Sequence, residues 1–486
     1  MQIPFGEWLP DQPQYLNPGA TTANNVYYAQ NSYKRFPSLV NYSTNNIATD
    51  SRGAGSFRDN AGNVYNFVAN NTDIYQLDGG TFTSRKSSLT GTNTDYFTFT
   101  QFGNYIIASN GVDAPQYYLM GTSTNFANLS AIATGVPTFR VSGVVRDFLV
   151  TGNQASNQNR IQWSGINDIT TWTAGSKQAD QQDLPGSGGE IVHITSGEIG
   201  YVFRQNQIIR MDYVGGATIF RLSVISPNRG AVYGRTVCQD NRRVFFYADD
   251  GFFEINGDEI IAIGAEKVNR FFDVDLNKAF SDRICAAVDP FNQLALWLYP
   301  SASNTSNTTG ICDKILIYNY ATKKWSTADA SASTIFSQFV GAYTVELMDI
   351  ISENLDQINI ALDTDFWSGG QLYLGAIDSN YKAAIFSGTE NQGTLETREL
   401  ELFPGHRSSI TNVRPIVDAT STVTVKTRER LADTPTESAV STMNDSGDNP
   451  VRESGRYFRL KIVTPSGSVW THAQGVDVIA TKIGLR

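Results

Sequence analysis

The residues able to do chemistry are few and widely spaced. Histidine occurs at His193, His406 and His472 only, none at metal-ligand spacing from another His or Cys. His193 sits in the apolar run Ile191-Val192-His193-Ile194 and reads as a packed, hydrogen-bonded side chain. The cysteines Cys238, Cys285 and Cys312 show no C-x-x-C spacing, and an odd number makes no disulfide framework; they read as buried thiols. Asp249-Asp250-Gly251 has the look of a carboxylate pair, but lies between Phe246-Tyr247 and Phe252-Phe253, where a hairpin turn accounts for it. Asp180, Asp183 and Glu190 flank Pro185-Gly186-Ser187-Gly188-Gly189; a cation site would need all three together, and a solvated loop needs none of them. No G-x-S-x-G elbow, H-E-x-x-H or P-loop is present. The stretch Trp163 to Trp172 approaches the S-x-D-x-G-x-x-W turn of sialidase-type propellers, but lacks its glycine–tryptophan end and occurs once. The expectation is a protein that is not an enzyme, with no catalytic, cofactor-binding or metal-binding residues and no cofactor.

Side chains without chemistry point to architecture, and composition agrees. Of 486 residues, 41% are hydrophobic and 12% aromatic, with 27 Phe and 22 Tyr; only 17% are charged. Aromatic and β-branched residues mixed with Asn, Gly and Ser favour strands joined by polar turns. The net charge of -10 opposes tight binding of nucleic acid, which needs clustered Lys and Arg, and suits a surface that DNA slides past. The N-terminus Met1 to Trp8 has no basic stretch followed by an apolar run, so no signal peptide is expected there. No apolar run reaches membrane-spanning length.

A unit of apolar strand, polar turn and aromatic strand recurs. Its copies begin Asn63-Val64-Tyr65 with Asp73 to Gly79, Tyr105 to Ala108 with Gln116 to Gly121, and Phe148-Leu149-Val150 with Arg160 to Ser164. They continue at Gly200 to Phe203 with Ile208 to Tyr213, Val244 to Tyr247 with Gly251 to Gly257, and Leu294 to Tyr299 with Ile315 to Tyr318. A weaker seventh pairs Ile358 to Leu362 with Gln371 to Leu374. The spacing of roughly 40 to 55 residues is the blade period of a β-propeller. Ala265 to Phe272 forms the one clear helix, a connector. From about residue 391 the pattern becomes alternating strands, such as Val423 to Thr427 and Tyr457 to Val463, as in a β-sandwich. The chain is therefore expected to be all-β, with a six- or seven-bladed β-propeller over 51–390 and a C-terminal β-sandwich over 391–486. Residues 1–50 read as an extended segment packing on another module or subunit. The competing fold is one large, irregular β-sandwich.

Several of these runs together resemble a phage family. Arg160, Trp163-Ser164-Gly165, Thr171-Trp172, Ala179-Asp180, Leu184-Pro185 and Gly188-Gly189 form the first part. Val202-Phe203-Arg204, Ile209-Arg210-Met211, Gly215-Gly216, Gly230, Asp250 to Phe253 and Ile263-Gly264 continue it. Asn17 to Ala20, Asn24 to Tyr27, Lys34 to Pro37, Glu453 to Leu460 and Trp470-Thr471-His472 extend it to both ends. The pattern resembles the head-to-tail stabilisation and tail nozzle (tail tubular) proteins of short-tailed, podovirus-like phages. The resemblance implies a virion structural protein, made in the host cytoplasm. It implies a homo-oligomeric ring, hexameric, around a DNA ejection channel, docked below the head-to-tail adaptor ring. Tail fibre, spike or plug proteins would be its other partners, and translocating DNA a transient, non-specific one. The alternatives are a glycan-binding or glycan-cleaving tail propeller, and a cellular scaffold that binds peptides.

Overall fold

The computed structural model describes residues 1–15, 17–216, 218–340, 367 and 372–484. Residues 358–362 and 371 of the seventh copy lie outside the described residues. Five consecutive four-stranded antiparallel sheets occupy 53–86, 98–128, 139–183, 191–226 and 238–262. Each is a meander in which neighbours in sequence pair in space, the arrangement that short polar turns dictate. A sixth blade runs Cys285–Asp289, Leu294–Tyr299 and Cys312–Asn319, and ends on the first half of the long strand Lys324–Phe339. The second half of that strand crosses over to begin a seventh blade, pairing with Leu372–Asp378. Ala383–Gly388 follows, and the outermost strand is Ser38–Asn41, borrowed from the other end of the chain.

Blades seven and one meet directly. The Phe339 amide donates to Ser56 Oγ at 2.8 Å, and Asn66 Nδ2 donates to the Phe339 carbonyl at 3.1 Å. The ring is thus closed, and the protein is a seven-bladed β-propeller. Its apolar side chains pack between blades. Phe67, Ile106 and Tyr118 join blades one and two, and Val150, Trp163, Val202 and Met211 join three and four. Val68, Ile377 and Ile385 join seven and one. A single blade cannot bury both of its faces, so the closed ring is what turns these apolar strands into a core.

Residues 393–484 form two sheets packed face to face. One places Arg407–Val417 between Ala473–Gly484 and Asn449–Gly455; the other contains Gly393–Glu396, Tyr457–Thr464 and Thr422–Arg428. Ile410, Val413, Val476 and Val478 face Val423, Val425, Leu460 and Ile462 across the core, and the strict alternation over Thr422–Arg428 is the mark of a strand with one buried face. The N-terminal segment is woven through both bodies. Gln2–Pro4 pairs with Gly475 to Asp477, and Thr22–Asn24 lies between Gly393–Glu396 and Thr327 of blade six. Phe5, Trp8, Val26 and Tyr33 enter the same core as Trp297 and Trp325.

The helix spans Asn269–Asp275, starting four and ending three residues further along than the sequence pattern suggests. Its start is set from outside: the Asp11 carboxylate accepts from the amides of Arg270 (2.9 Å) and Phe271 (2.7 Å), a cap supplied by the N-terminal segment. Val268 and Phe272 are fully buried, and Phe271 meets Trp8 edge to face at 5.0 Å.

Candidate functional site

The potentially reactive side chains are placed as follows. Cys238, Cys285 and Cys312 are free and buried, and burial holds each thiol above its ordinary pKa. Asp249 and Asp250 are the two-residue turn of a hairpin in which Ala248 pairs with Gly251, and Asp250 holds Arg229 through both its oxygens. Gly251 adopts φ +127°, and a Cβ there would lie 1.9 Å from Asn269 Nδ2, so glycine is required. Asp180, Asp183 and Glu190 do not converge. Asp183 pairs with Arg160 at 2.6 Å on the outer edge of blade three, whereas Glu190 accepts from Asn153 and Gln205 further in. Among the described residues no group of three His, Cys, Asp or Glu side chains is arranged to hold a metal ion.

His472 lies beside Asp418 and Thr471. Asp418 Oδ2 lies 3.4 Å from His472 Nδ1, and Thr471 Oγ1 lies 3.0 Å from that same nitrogen while donating to Asp418 at 2.6 Å. A base that activates a hydroxyl needs the orienting acid on one ring nitrogen and the nucleophile on the other. Here both crowd Nδ1, and the hydroxyl donates to the carboxylate. The arrangement pins a loop and leaves no proton relay.

The 160–216 stretch is where the sequence pattern gains physical content. Arg204, at the end of an inner strand pair in blade four, is 0% exposed. All five of its N–H donors are engaged, and none by a carboxylate. Nε donates to the Gly189 carbonyl (2.8 Å), Nη1 to the Pro185 carbonyl and Gln207 Oε1 (both 2.8 Å), and Nη2 to Asn159 Oδ1 (3.1 Å) and the Gly186 carbonyl (3.2 Å). The Pro-Gly-Ser-Gly-Gly loop therefore wraps a guanidinium, turning its carbonyls inward from blade three to blade four. A Cβ on Gly188 would lie 2.9 Å from the Arg204 Cζ, and one on Gly230 would lie 1.9 Å from the Arg204 carbonyl oxygen. Trp163 Nε1 donates to the Gln178 carbonyl (2.9 Å) and Trp172 Nε1 to the Ile169 carbonyl (2.7 Å). Asp168 ties Lys177, Thr170 and Thr171, which hold its pKa well below the usual carboxylate range. Each of these residues fixes a loop.

Reasoning from the sequence did not single out Arg204 for burial, although an arginine directly after Val202-Phe203 in a strand was a usable signal. It also missed the cavity on the propeller axis. That cavity measures about 540 Å³ and is walled by the inner strands and the turns leading into them, including Gly53, Phe97, Val141, His193, Arg235 and Ser337. Its size suits a small molecule. Burial holds the His193 imidazole down at about 4, with the Gly234 backbone opposing the shift.

No family model matches the chain, and no curated protein matches it. Similar solved structures include the extracellular domain of BT4673 from B. thetaiotaomicron, at 12% identity and TM-score 0.42 over 78% of this chain. The match spans 43% of the length of that protein. Apo AztD from Citrobacter koseri matches at 12% identity and TM-score 0.34, over 61% of this chain and 93% of its own. The Pan2 WD40 domain of Neurospora crassa matches at 8% and 0.37, over 72% and 94%. Identities and scores this low transfer no function.

Proposed function

We propose that the chain is a non-enzymatic structural subunit of a ring in a short phage tail, either a nozzle or a head-to-tail stabilisation hub. In this role it docks below the adaptor, helps retain packaged DNA and forms part of the ejection channel. The observation that carries the reading is the use made of the 160–216 pattern. The residues that resemble the phage family, Arg204 with the Pro185 to Gly189 loop above all, clamp one blade to the next. A subunit that bears load needs such stiff joints and needs no reactive groups. A cavity of about 540 Å³ on the propeller's own axis does not pass a duplex, so the DNA lumen of this reading lies between subunits. Rings of this kind close through heterologous contacts whose rotation sums to a full turn.

Electron microscopy of the purified full chain tests the proposal. Sixfold rings with an axial channel are the expected result. Monomers or trimers that bind glycans would overturn it in favour of a receptor-binding propeller.

A further inference from the structure

The axial cavity has features of a site and not of a packing void. Small residues open it, including Gly53, Gly55, Ala286 and Ser337, while Phe57, Phe97 and Phe336 give it aromatic walls. Arg235 stands on its rim in the short turn Gly234–Thr236. That turn is rigid. A Cβ on Gly234 would lie 1.9 Å from the Val192 carbonyl oxygen, and the Thr236 carbonyl accepts from Trp297 Nε1 at 2.9 Å.

The direct contacts of Arg235 are with neutral groups. Its guanidinium lies over the Tyr96 ring, 4.4 Å from the centroid, and donates to Thr334 Oγ1 at 3.0 Å. Arg52, itself buried, approaches the same ring at 5.8 Å. Of the nearby carboxylates, Asp50 pairs with Arg283 (2.8 Å) and Arg52 (3.7 Å), while Asp282 accepts from the neutral Tyr96 hydroxyl at 2.6 Å and keeps its charge, so Asp50 and Asp282 stand against the guanidiniums of Arg52, Arg235 and Arg283. Burial pushes that hydroxyl up to about 12, so it remains a donor. Of the other charged groups on the wall, Arg140 pairs with Asp95 at 3.1 Å, and Glu190 is held by Asn153 and Gln205. Among the described residues Arg235 has no carboxylate within ion-pair distance. It is a preorganised cation facing a partly apolar cavity.

We propose that this axial cavity binds a small organic carboxylate, with Arg235 receiving the carboxylate and the aromatic wall receiving an apolar body. A guanidinium offers parallel N–H donors that match a carboxylate, and its contacts with the Tyr96 ring and Thr334 Oγ1 hold it in place. The inference stands apart from the tail reading, since a cavity of this size functions within one subunit.

Phenylacetate and its neutral counterpart phenylacetamide are suitable probes, titrated into the full chain by calorimetry with ligand-observed NMR as a second readout. Phenylacetate is expected to bind at least about tenfold more tightly than the amide, the margin of one charge-assisted contact. Arg235→Gln should abolish that preference. Thr334→Val, which keeps the charge and removes the guanidinium's anchor, should weaken phenylacetate binding by about threefold in a chain of unchanged circular dichroism. Absence of phenylacetate binding, equal binding of the two probes, or full binding by a folded Arg235→Gln variant would each overturn the proposal.

Discussion

Replacing Arg204 with Met isolates the joint between blades three and four. Methionine fills much of the same volume and carries no donor, so five acceptors lose their partner together. The Pro185 and Gly186 carbonyls belong to exposed residues and can turn to water at little cost. Gly189, Asn159 and Gln207 are only half-exposed, and each loses a bond to a charged donor at a net cost of about 1.5 kcal/mol, the low end for such bonds because water reaches part of each residue. Relief from burying a charge offsets part of this, which leaves a destabilisation of about 3 kcal/mol. Arg204→Lys keeps the charge but offers at most three donors from a single point, and should recover less than half of the loss. Because two bodies need not unfold together, hydrogen exchange is a better assay than one melting curve. The amide of Asn206, which donates to the Gly188 carbonyl at 2.9 Å, and that of Gln205, which donates to the Glu190 carbonyl at 3.2 Å, report the joint directly. Their protection should fall by about a hundredfold in Arg204→Met, while that of blade one stays unchanged. Unchanged protection at both amides would refute the view that this guanidinium holds the loop.

Two further outcomes are expected. His193 titrates near 6.5 when unfolded and at about 4 when folded, so between these values the unfolded chain binds the extra proton. The stability it contributes is complete above about pH 6.5 and declines as the pH falls to 4, by up to about 3 kcal/mol. His193→Gln should flatten that part of a stability–pH curve measured by urea unfolding. In the sandwich, Glu399 and Arg428 form a bidentate pair that is almost wholly buried. Glu399→Met alone should cost about 3 to 5 kcal/mol by leaving the guanidinium uncompensated, and adding Arg428→Met should restore most of it; chemical denaturation of the native chain, the two single variants and the double variant gives the coupling.

The blades were legible wherever strands are buried. Val244 to Tyr247 and Leu294 to Tyr299 are continuous apolar runs because both faces meet neighbouring blades. Outer strands were not legible, since Asp180–Asp183 touches water along most of its length and carries no alternation. Nor was the double use of Lys324–Phe339, or the loan of Ser38–Asn41 to the last blade. Both rest on pairings between distant residues, which no local pattern encodes. The helix was misplaced by half its length for a similar reason, as its cap comes from Asp11. As for chemistry, the scarcity of His and Cys was plain from the sequence. The charge arrangement around Arg235 gathers residues from 50 to 334 and only the closed ring assembles it.

The loan of Ser38–Asn41 sets an order of events during synthesis. This strand leaves the ribosome early, yet its partner Ala383–Gly388 follows more than three hundred residues later. The segment before it waits longer still, for Ala473–Gly484. Blades one to five can fold in turn as they emerge, each on short-range pairings, whereas Gln2–Pro4 and Ser38–Asn41 lack their partner strands until residues 473–484 and 383–388 arrive. Their capture fastens first the ring and then the sandwich, so a chain that stops before residue 383 leaves Ser38–Asn41 unpaired and its last blade unfinished.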